Sequence, residues 1–258
     1  MNRRDNMLSI SRVNRQPLYE QVRQILLKAI QSGQWGPGEK IPIEPVLAQQ
    51  LGVSIGTLRR AVESLVNDGV LLRREGVGTF VRTYRDGGYW NVFQIYRNLD
   101  GQKRGDFSKL IVFEVTSNVG EKIYTALNAT DKSRFIHMVR HWIRTQNGEE
   151  EIVSIDESFL LADKFEGLTK DFFLQRFRQG ESFYEFFDRE FNVVIINQKC
   201  SAHYERLDDK TAKTLNVPLN FDALCTERVS LTFGHMPVEY RINRGRVDVT
   251  KIFFDLNW

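Results

Sequence analysis

The chain has 258 residues and only two cysteines, Cys200 and Cys225. Two cysteines cannot build a disulfide framework, and nothing around them favours pairing, so reduced thiols and a cytoplasmic setting are expected. There is no apolar run of about 18 residues, the length a membrane-spanning helix needs, and no signal peptide is read at the start. Histidines number four. His137 and His141 are spaced by four, His203 and His235 stand far off, and no cysteine or carboxylate lies at a fitting spacing, so neither a metal nor another cofactor is expected. A P-loop, a nucleophile elbow and a zinc-hydrolase pattern are all missing, which argues against an enzyme.

Charge of one sign is also scarce, with a net value of +3, until the chain is divided. Residues 1–84 carry 12 Lys and Arg against 7 Asp and Glu, and residues 85–258 carry 24 against 26. The basic excess lies on the first part, as phosphate binding would require.

What is present in that first part is a stretch of paired helices. Residues 1–15 read as a polar, basic arm. Pro17 opens a helix whose apolar stripe is Leu18, Val22, Ile25, Leu26 and Ala29, running through Ile30 and stopping at Gly33. Leu47, Ala48 and Leu51 mark a short helix that Gly52 ends. Ser54 caps the next one, which carries Leu58, Ala61, Val62 and Leu65 on one face. Two short helices with a glycine-containing turn form either a helix-turn-helix or an ordinary αα-hairpin. Residues 70–74 and 79–81 then read as two strands around the turn Glu75-Gly76-Val77-Gly78, which makes the unit a winged helix.

From Pro17 to Val81 this pattern resembles the winged-helix domain of GntR-type bacterial regulators, carried by LAQQLGVSIGTLRRAVESL and REGVGTFV. The start of the second helix leaves Ile55, Gly56, Thr57, Arg59 and Arg60 off the apolar face as candidate DNA contacts. The resemblance implies operator contacts from Ser54, Thr57 and Arg59, and a wing tip at Gly76 to Gly78. Many members have Arg where this chain has Ile55, and Arg or another polar residue where it has Pro45. An altered operator follows from those differences.

The domain boundary is expected near residues 83–90, giving domains 1–84 and 85–258. Tyr89, Trp90, Val92, Phe93 and Ile95 are too apolar for a free linker and are expected to begin the second domain. Strands are expected at 109–116, 135–144, 151–160, 193–207, 223–233, 238–243 and 249–256, the last closing the sheet. Short helices are expected at 120–127 and 182–191, the latter capped by Ser182 with Glu185 at the capping-box position, and another follows Asp208-Asp209. The fold class expected is α+β, with a mostly antiparallel sheet and helices packed on it.

Arg144-Thr145-Gln146-Asn147-Gly148, Glu157-Ser158-Phe159-Leu160, Glu181-Ser182-Phe183-Tyr184, Leu215-Asn216-Val217-Pro218 and Pro237-Val238-Glu239-Tyr240 resemble, in order, the UTRA effector domain of the HutC-like GntR branch, a chorismate-lyase-like fold. Alternate strand residues point the same way, so Arg140, Trp142 and Arg144 share a face and the arginines could hold a carboxylate or phosphate. The resemblance implies that Arg144 is the leading anion ligand. Trp142 stands where the family often has a second Arg, so either Arg140 substitutes for it or the pocket stacks a ligand ring on Trp142. It also places Asp156, Ser182, Tyr184 and Glu239 in the pocket. The expected protein is a homodimeric, ligand-responsive transcription regulator, acting as a repressor. Its partners would be double-stranded operator DNA and a small effector: a sugar phosphate, an amino acid or another carboxylate. A lyase-like domain fused to a DNA-binding head is the alternative, and turnover of a bound metabolite would separate the two. A third reading is a constitutive DNA-binding protein whose second domain only dimerises.

Overall fold

Pro17 fixes its own φ at −52° and leaves no donor unpaired, so the first helix begins directly after it. This helix, α1 (Leu18–Gln31), buries Val22, Leu26, Leu27 and Ile30. The apolar stripe differs from the expected one: Leu18 and Ile25 are 54% and 49% exposed, while Leu27 is buried. The reason is tertiary, because Leu27 lies against the second domain. The computed structural model describes residues 16–83, 86, 96–99, 107–146, 148–178 and 181–252. The expected basic arm, the apolar residues Tyr89 to Ile95 and the end of the last expected strand lie outside the described residues.

Helix α2 (Glu44–Leu51) starts with Pro45 in its first turn and ends where Gly52 adopts φ +64°, a left-handed value that suits glycine. Helix α3 (Ile55–Asn67) is capped by Ser54, whose hydroxyl oxygen accepts from the Thr57 N–H at 3.1 Å. Strands β1 (Leu71–Arg74) and β2 (Gly78–Val81) pair antiparallel as the wing. Leu58, Ala61, Val62 and Leu65 fill the core between α1, α2 and the wing.

Strand β3 (Tyr96–Asn98) precedes a six-stranded antiparallel sheet formed by β4 (Phe107–Thr116), β5 (Phe135–Gln146), β6 (Glu149–Leu161), β7 (Asn197–Arg206), β8 (Asp222–Thr232) and β9 (Met236–Arg246), in the order β4-β5-β6-β9-β8-β7. Helices interrupt the strands: α4 (Glu121–Ala126), α5 (Lys170–Arg176), α6 (Phe183–Phe191) and α7 (Asp209–Thr214). Strand β10 (Thr250–Ile252) does not close this sheet, as the sequence suggested. It pairs with β3 in a separate two-stranded ladder.

Period-2 alternation puts Leu160 on one face and Phe159 on the other. On the inner face Ile136, Met138, Leu160 and Val238 pack beneath α5 and α6, where Phe165, Phe173, Phe183, Phe186 and Phe187 interlock. On the outer face Ile123 of α4 packs with Phe135, Phe159 and Tyr240, and Ala212 of α7 packs with Ala223, Ile152 and Ile155. Between these two helices the outer face is polar.

The expected long strand over 193–207 is shorter, because Val193 to Ile196 serve two cores instead of a ladder. Val193 and Ile195 join the α5–α6 core, whereas Val194 and Ile196 join the winged-helix core together with Phe233. The two parts of the chain therefore share buried apolar surface. Among the described residues no helix is long and apolar enough to cross a membrane.

Candidate functional sites

The head of the molecule presents the start of α3 and the wing. Ser54 is occupied locally, its hydroxyl 2.9 Å from that of Thr57 as well as capping the helix. Ile55 is 45% exposed at the first helical turn, next to Gly56. Arg59 is exposed and its Nε donates to Glu44 Oε2 at 3.0 Å, while Arg73 of the wing donates to Glu44 Oε1 at 2.8 Å. One carboxylate thus holds together cations from two different elements. Arg60 turns back instead and lies 4.0 Å over the Tyr19 ring of α1. At the wing tip Gly76 has φ +70° and Gly78 φ +139°. The Lys40 side chain passes where a Gly78 Cβ would stand, so the missing side chain admits a further cation beside the wing. Lys40 was not singled out from sequence, since nothing in its local spacing announces this crossing. Exposed guanidiniums and backbone approach at a glycine tip are what phosphate and groove contacts use.

The second site is a polar cluster on the inner face of the sheet. Cross-strand pairing sets Arg140 opposite Asp156, and Asp156 opposite Asn243. Asp156 accepts from Arg140 Nη2 at 3.1 Å, from Trp142 Nε1 at 2.8 Å and from Asn243 Nδ2 at 2.6 Å. Glu239, fully buried, accepts from Arg241 Nε at 2.9 Å and from the Ser230 hydroxyl at 2.8 Å. Tyr184 is buried on α6, and its hydroxyl accepts from Gln198 Nε2 at 2.5 Å. The Phe183 ring carries the Arg140 guanidinium at 3.5 Å and that of Arg241 at 4.9 Å.

Burial strongly opposes the Arg140 charge. Asp156 offsets this in part and Arg241 adds repulsion, which leaves its pKa lowered to about 10. Burial also opposes the Asp156 charge, but Arg241, Arg140 and Arg228 hold its carboxyl below the ordinary range. For Arg241 burial again opposes the charge, but Glu239, Tyr184 and Asp156 together outweigh it and the pKa is raised. Arg140 Nε, Ser158 Oγ and Asn243 Oδ1 are buried without a hydrogen-bond partner among the described residues. Such unmet groups are costly unless something else satisfies them.

The expected pocket residues divide. Arg140, Trp142, Asp156, Tyr184 and Glu239 are brought into one cluster, and Ser182 caps α6 beside it, accepting from the Glu185 N–H at 3.1 Å. Arg144, the leading candidate from sequence, is drawn elsewhere. A register shift falls between Trp142 and Ile143, and beyond it Arg144 Nε donates to Glu151 at 2.8 Å, a carboxylate also bound by Arg246. Sequence reasoning missed Arg241 and Asn243. Their signal was available: Glu239, Arg241 and Asn243 alternate with Val238, Tyr240 and Ile242 along β9.

Two family models match the chain. The family model for bacterial regulatory proteins of the gntR family matches residues 18–81, and that for the UTRA domain matches residues 107–251. The chain is 29% identical over 232 residues to the probable fructoselysine utilization operon transcriptional repressor of Escherichia coli K12, covering 90% of this chain and 91% of that protein. It is 36% identical over 123 residues to the histidine utilization repressor of Pseudomonas aeruginosa, a match spanning 47% of this chain and 48% of that one. A possible transcriptional regulator of Bacillus subtilis, YydK, has the same fold with a TM-score of 0.52 at 20% identity, covering 94% of this chain and all of that one. The chain therefore belongs to the GntR family of bacterial regulatory proteins, in its HutC-like branch, and is a DNA-binding transcription regulator with a UTRA effector-binding domain rather than an enzyme.

Proposed function

We propose that the chain acts in the cytoplasm as a homodimeric repressor. Residues 1–84 bind operator DNA, and residues 85–258 bind a small polar, anionic effector and supply the dimer contacts. Ser54, Ile55, Gly56, Thr57, Arg59 and Arg60 lie along the reading helix, with Gly76 and Gly78 admitting the wing to the backbone. Effector binding biases the relative placement of the two heads between spacings that fit and misfit the operator.

One observation carries the effector class. Arg140 is a buried guanidinium with an unpartnered Nε, a pKa lowered to about 10 and a flat aromatic neighbour on α6. A carboxylate or phosphate brought to Arg140 would supply the acceptor that its Nε lacks and further negative charge beside that of Asp156. Asp156 and Glu239 would then meet hydroxyl or amino donors, and Trp142 and Tyr184 the flat part of the molecule. Arg140 with Arg241 replaces Arg144 as the anion anchor in this reading.

A thermal-shift screen of sugar phosphates, amino acids and other carboxylates tests it, because a ligand of the native state raises apparent stability. The expected hit raises the melting temperature, changes operator affinity in fluorescence anisotropy, and loses binding in Arg140→Ala. Undiminished calorimetric affinity in that variant would overturn the anchor. Sedimentation equilibrium of the full chain checks the dimer.

A further inference from the structure

On the outer face of the sheet, away from the effector cluster, strand pairing sets His203 of β7 directly opposite Cys225 of β8. Glu205 lies two residues along β7 and so shares the face. An imidazole nitrogen of His203, the Cys225 sulfur and a Glu205 carboxylate oxygen all lie within 4.8 Å of one another. His203 is exposed, Glu205 half-buried and Cys225 buried, so the trio opens to solvent through the histidine. The expectation of no metal site came from spacing along the chain, which places His203 and Cys225 far apart. The β7–β8 pairing removes that separation.

We propose that His203, Glu205 and Cys225 form a binding site for a borderline-soft divalent transition metal, of which zinc is the natural candidate. One nitrogen, one sulfur and one oxygen donor make a three-ligand set of the kind that leaves a fourth position for water or an outside ligand. The thiol and imidazole select against calcium and magnesium, which prefer all-oxygen sets. Binding converts the Cys225 S–H into a metal–sulfur bond and releases its proton to solvent. Arg244 is the competing cation: its Nε donates to the Glu205 carboxylate oxygens at 3.1 and 3.2 Å, and its Nη1 lies 3.5 Å from Glu157. A metal takes Glu205 from Arg244, which keeps Glu157 as its partner.

The place of the site gives it a consequence. Among the described residues strand β7 is an edge, paired only to β8, and it also delivers Gln198 to Tyr184 and Ser230 in the effector cluster. A metal bridging β7 to β8 clamps that edge and fixes the strand on which Gln198 sits.

The test uses the full-length, tag-free chain kept reduced with a non-thiol reductant. Titration with cobalt(II) should produce a thiolate-to-metal charge-transfer band in the near ultraviolet, and zinc(II) should displace it at one ion per chain in calorimetry. Cys225→Ser should abolish the band, and His203→Ala and Glu205→Gln should each weaken zinc binding at least about tenfold, a loss of about 1.4 kcal/mol. Cys200→Ser should leave both unchanged. His203→Ala alters an exposed side chain and Glu205→Gln keeps the shape of a half-buried one, so they report even where Cys225→Ser fails to fold. The proposal is overturned by absence of the band in the wild-type protein, by zinc affinity unchanged in His203→Ala and Glu205→Gln, or by a band lost in Cys200→Ser instead.

Discussion

The Gln31 side-chain amide donates to the Phe233 carbonyl oxygen at 3.1 Å and so ties the last turn of α1 to the turn between β8 and β9. Gly234, at φ +76°, lets that turn approach closely, since a Cβ there would stand 2.8 Å from Gln31 Nε2 and 3.3 Å from Leu27 Cδ2. The same turn joins the strands that carry Ser230 and Glu239 of the inner-face polar cluster. A change at the cluster therefore has a short, packed route to α1, and α1 packs on the reading helix α3.

Removing the joint separates its stability from its signalling. Phe233→Ala should cost about 3–5 kcal/mol in urea unfolding, as expected for a buried aromatic side chain. Gln31→Leu should cost only about 1 kcal/mol, since it loses the bond to the Phe233 carbonyl and a long, weak one to the Met236 sulfur. It should nevertheless shrink the ratio of operator affinities with and without effector. An unchanged ratio in Gln31→Leu would show that the signal takes another route.

Arg59→Ala should weaken specific operator binding by about 1–3 kcal/mol, whether the contact is a base edge or a phosphate. Glu44→Ala should have a smaller effect of the same sign by freeing both Arg59 and Arg73 to move. Ile55→Ala should relax the preference for thymine at one operator position, because an exposed apolar side chain there suits the thymine methyl. Anisotropy against the operator and single-base variants reads all three, and full affinity in Arg59→Ala would exclude this docking.

Gly78→Ala should destabilise the wing by about 1 kcal/mol or more, since φ +139° is strained for any residue with a Cβ. Lys40 can swing away from the new methyl, so the variant should also lose one phosphate contact and show a shallower salt dependence of DNA binding. Lys40→Ala alone should reproduce the salt effect without the loss of stability.

His137 lies 2.9 Å from Glu114 of β4 and 2.9 Å from Glu157 of β6, stacked on Phe159, with Arg244 beyond Glu157. The hydrogen bond to Glu157 outweighs the opposing burial, and the contact with Glu114 adds to it, so its pKa is raised. A raised pKa means that the folded state binds the proton more tightly. The stabilisation is therefore complete below the unfolded value of about 6.5 and fades as pH rises through the folded value. The difference in melting temperature between wild type and His137→Gln should accordingly narrow with rising pH across that window. A difference that stays constant would exclude the linkage.

Arg140→Met should cost about 3–5 kcal/mol, because it leaves Asp156 buried with one cation fewer. Asp156→Asn should cost a similar amount for the mirror reason. The double variant should cost clearly less than the two single losses together, since neither charge is then stranded. Additive losses in denaturant unfolding would mean that the two residues act independently.

Much of this molecule could be read along the chain, because its signals are local. The apolar periodicity of Leu58, Ala61, Val62 and Leu65, the stop at Gly52, and the Ser54, Ser182 and Asp208 caps each involve residues within a turn or two of one another. Helix and strand placement follows from such short-range constraints. The alternation along β5 likewise placed Arg140 and Trp142 on one face before any pairing was known. Partnership across the sheet is a different matter, because it depends on register. The shift beyond Trp142 handed Arg144 to Glu151, β9 brought Arg241 and Asn243 to the cluster, and β10 left the main sheet for β3. Leu27, Val194 and Ile196 are apolar in either reading, and only the docking of two domains decides which core they enter. The His203–Glu205–Cys225 trio exists for the same reason, since an antiparallel ladder sets adjacent in space what the chain keeps far apart in sequence.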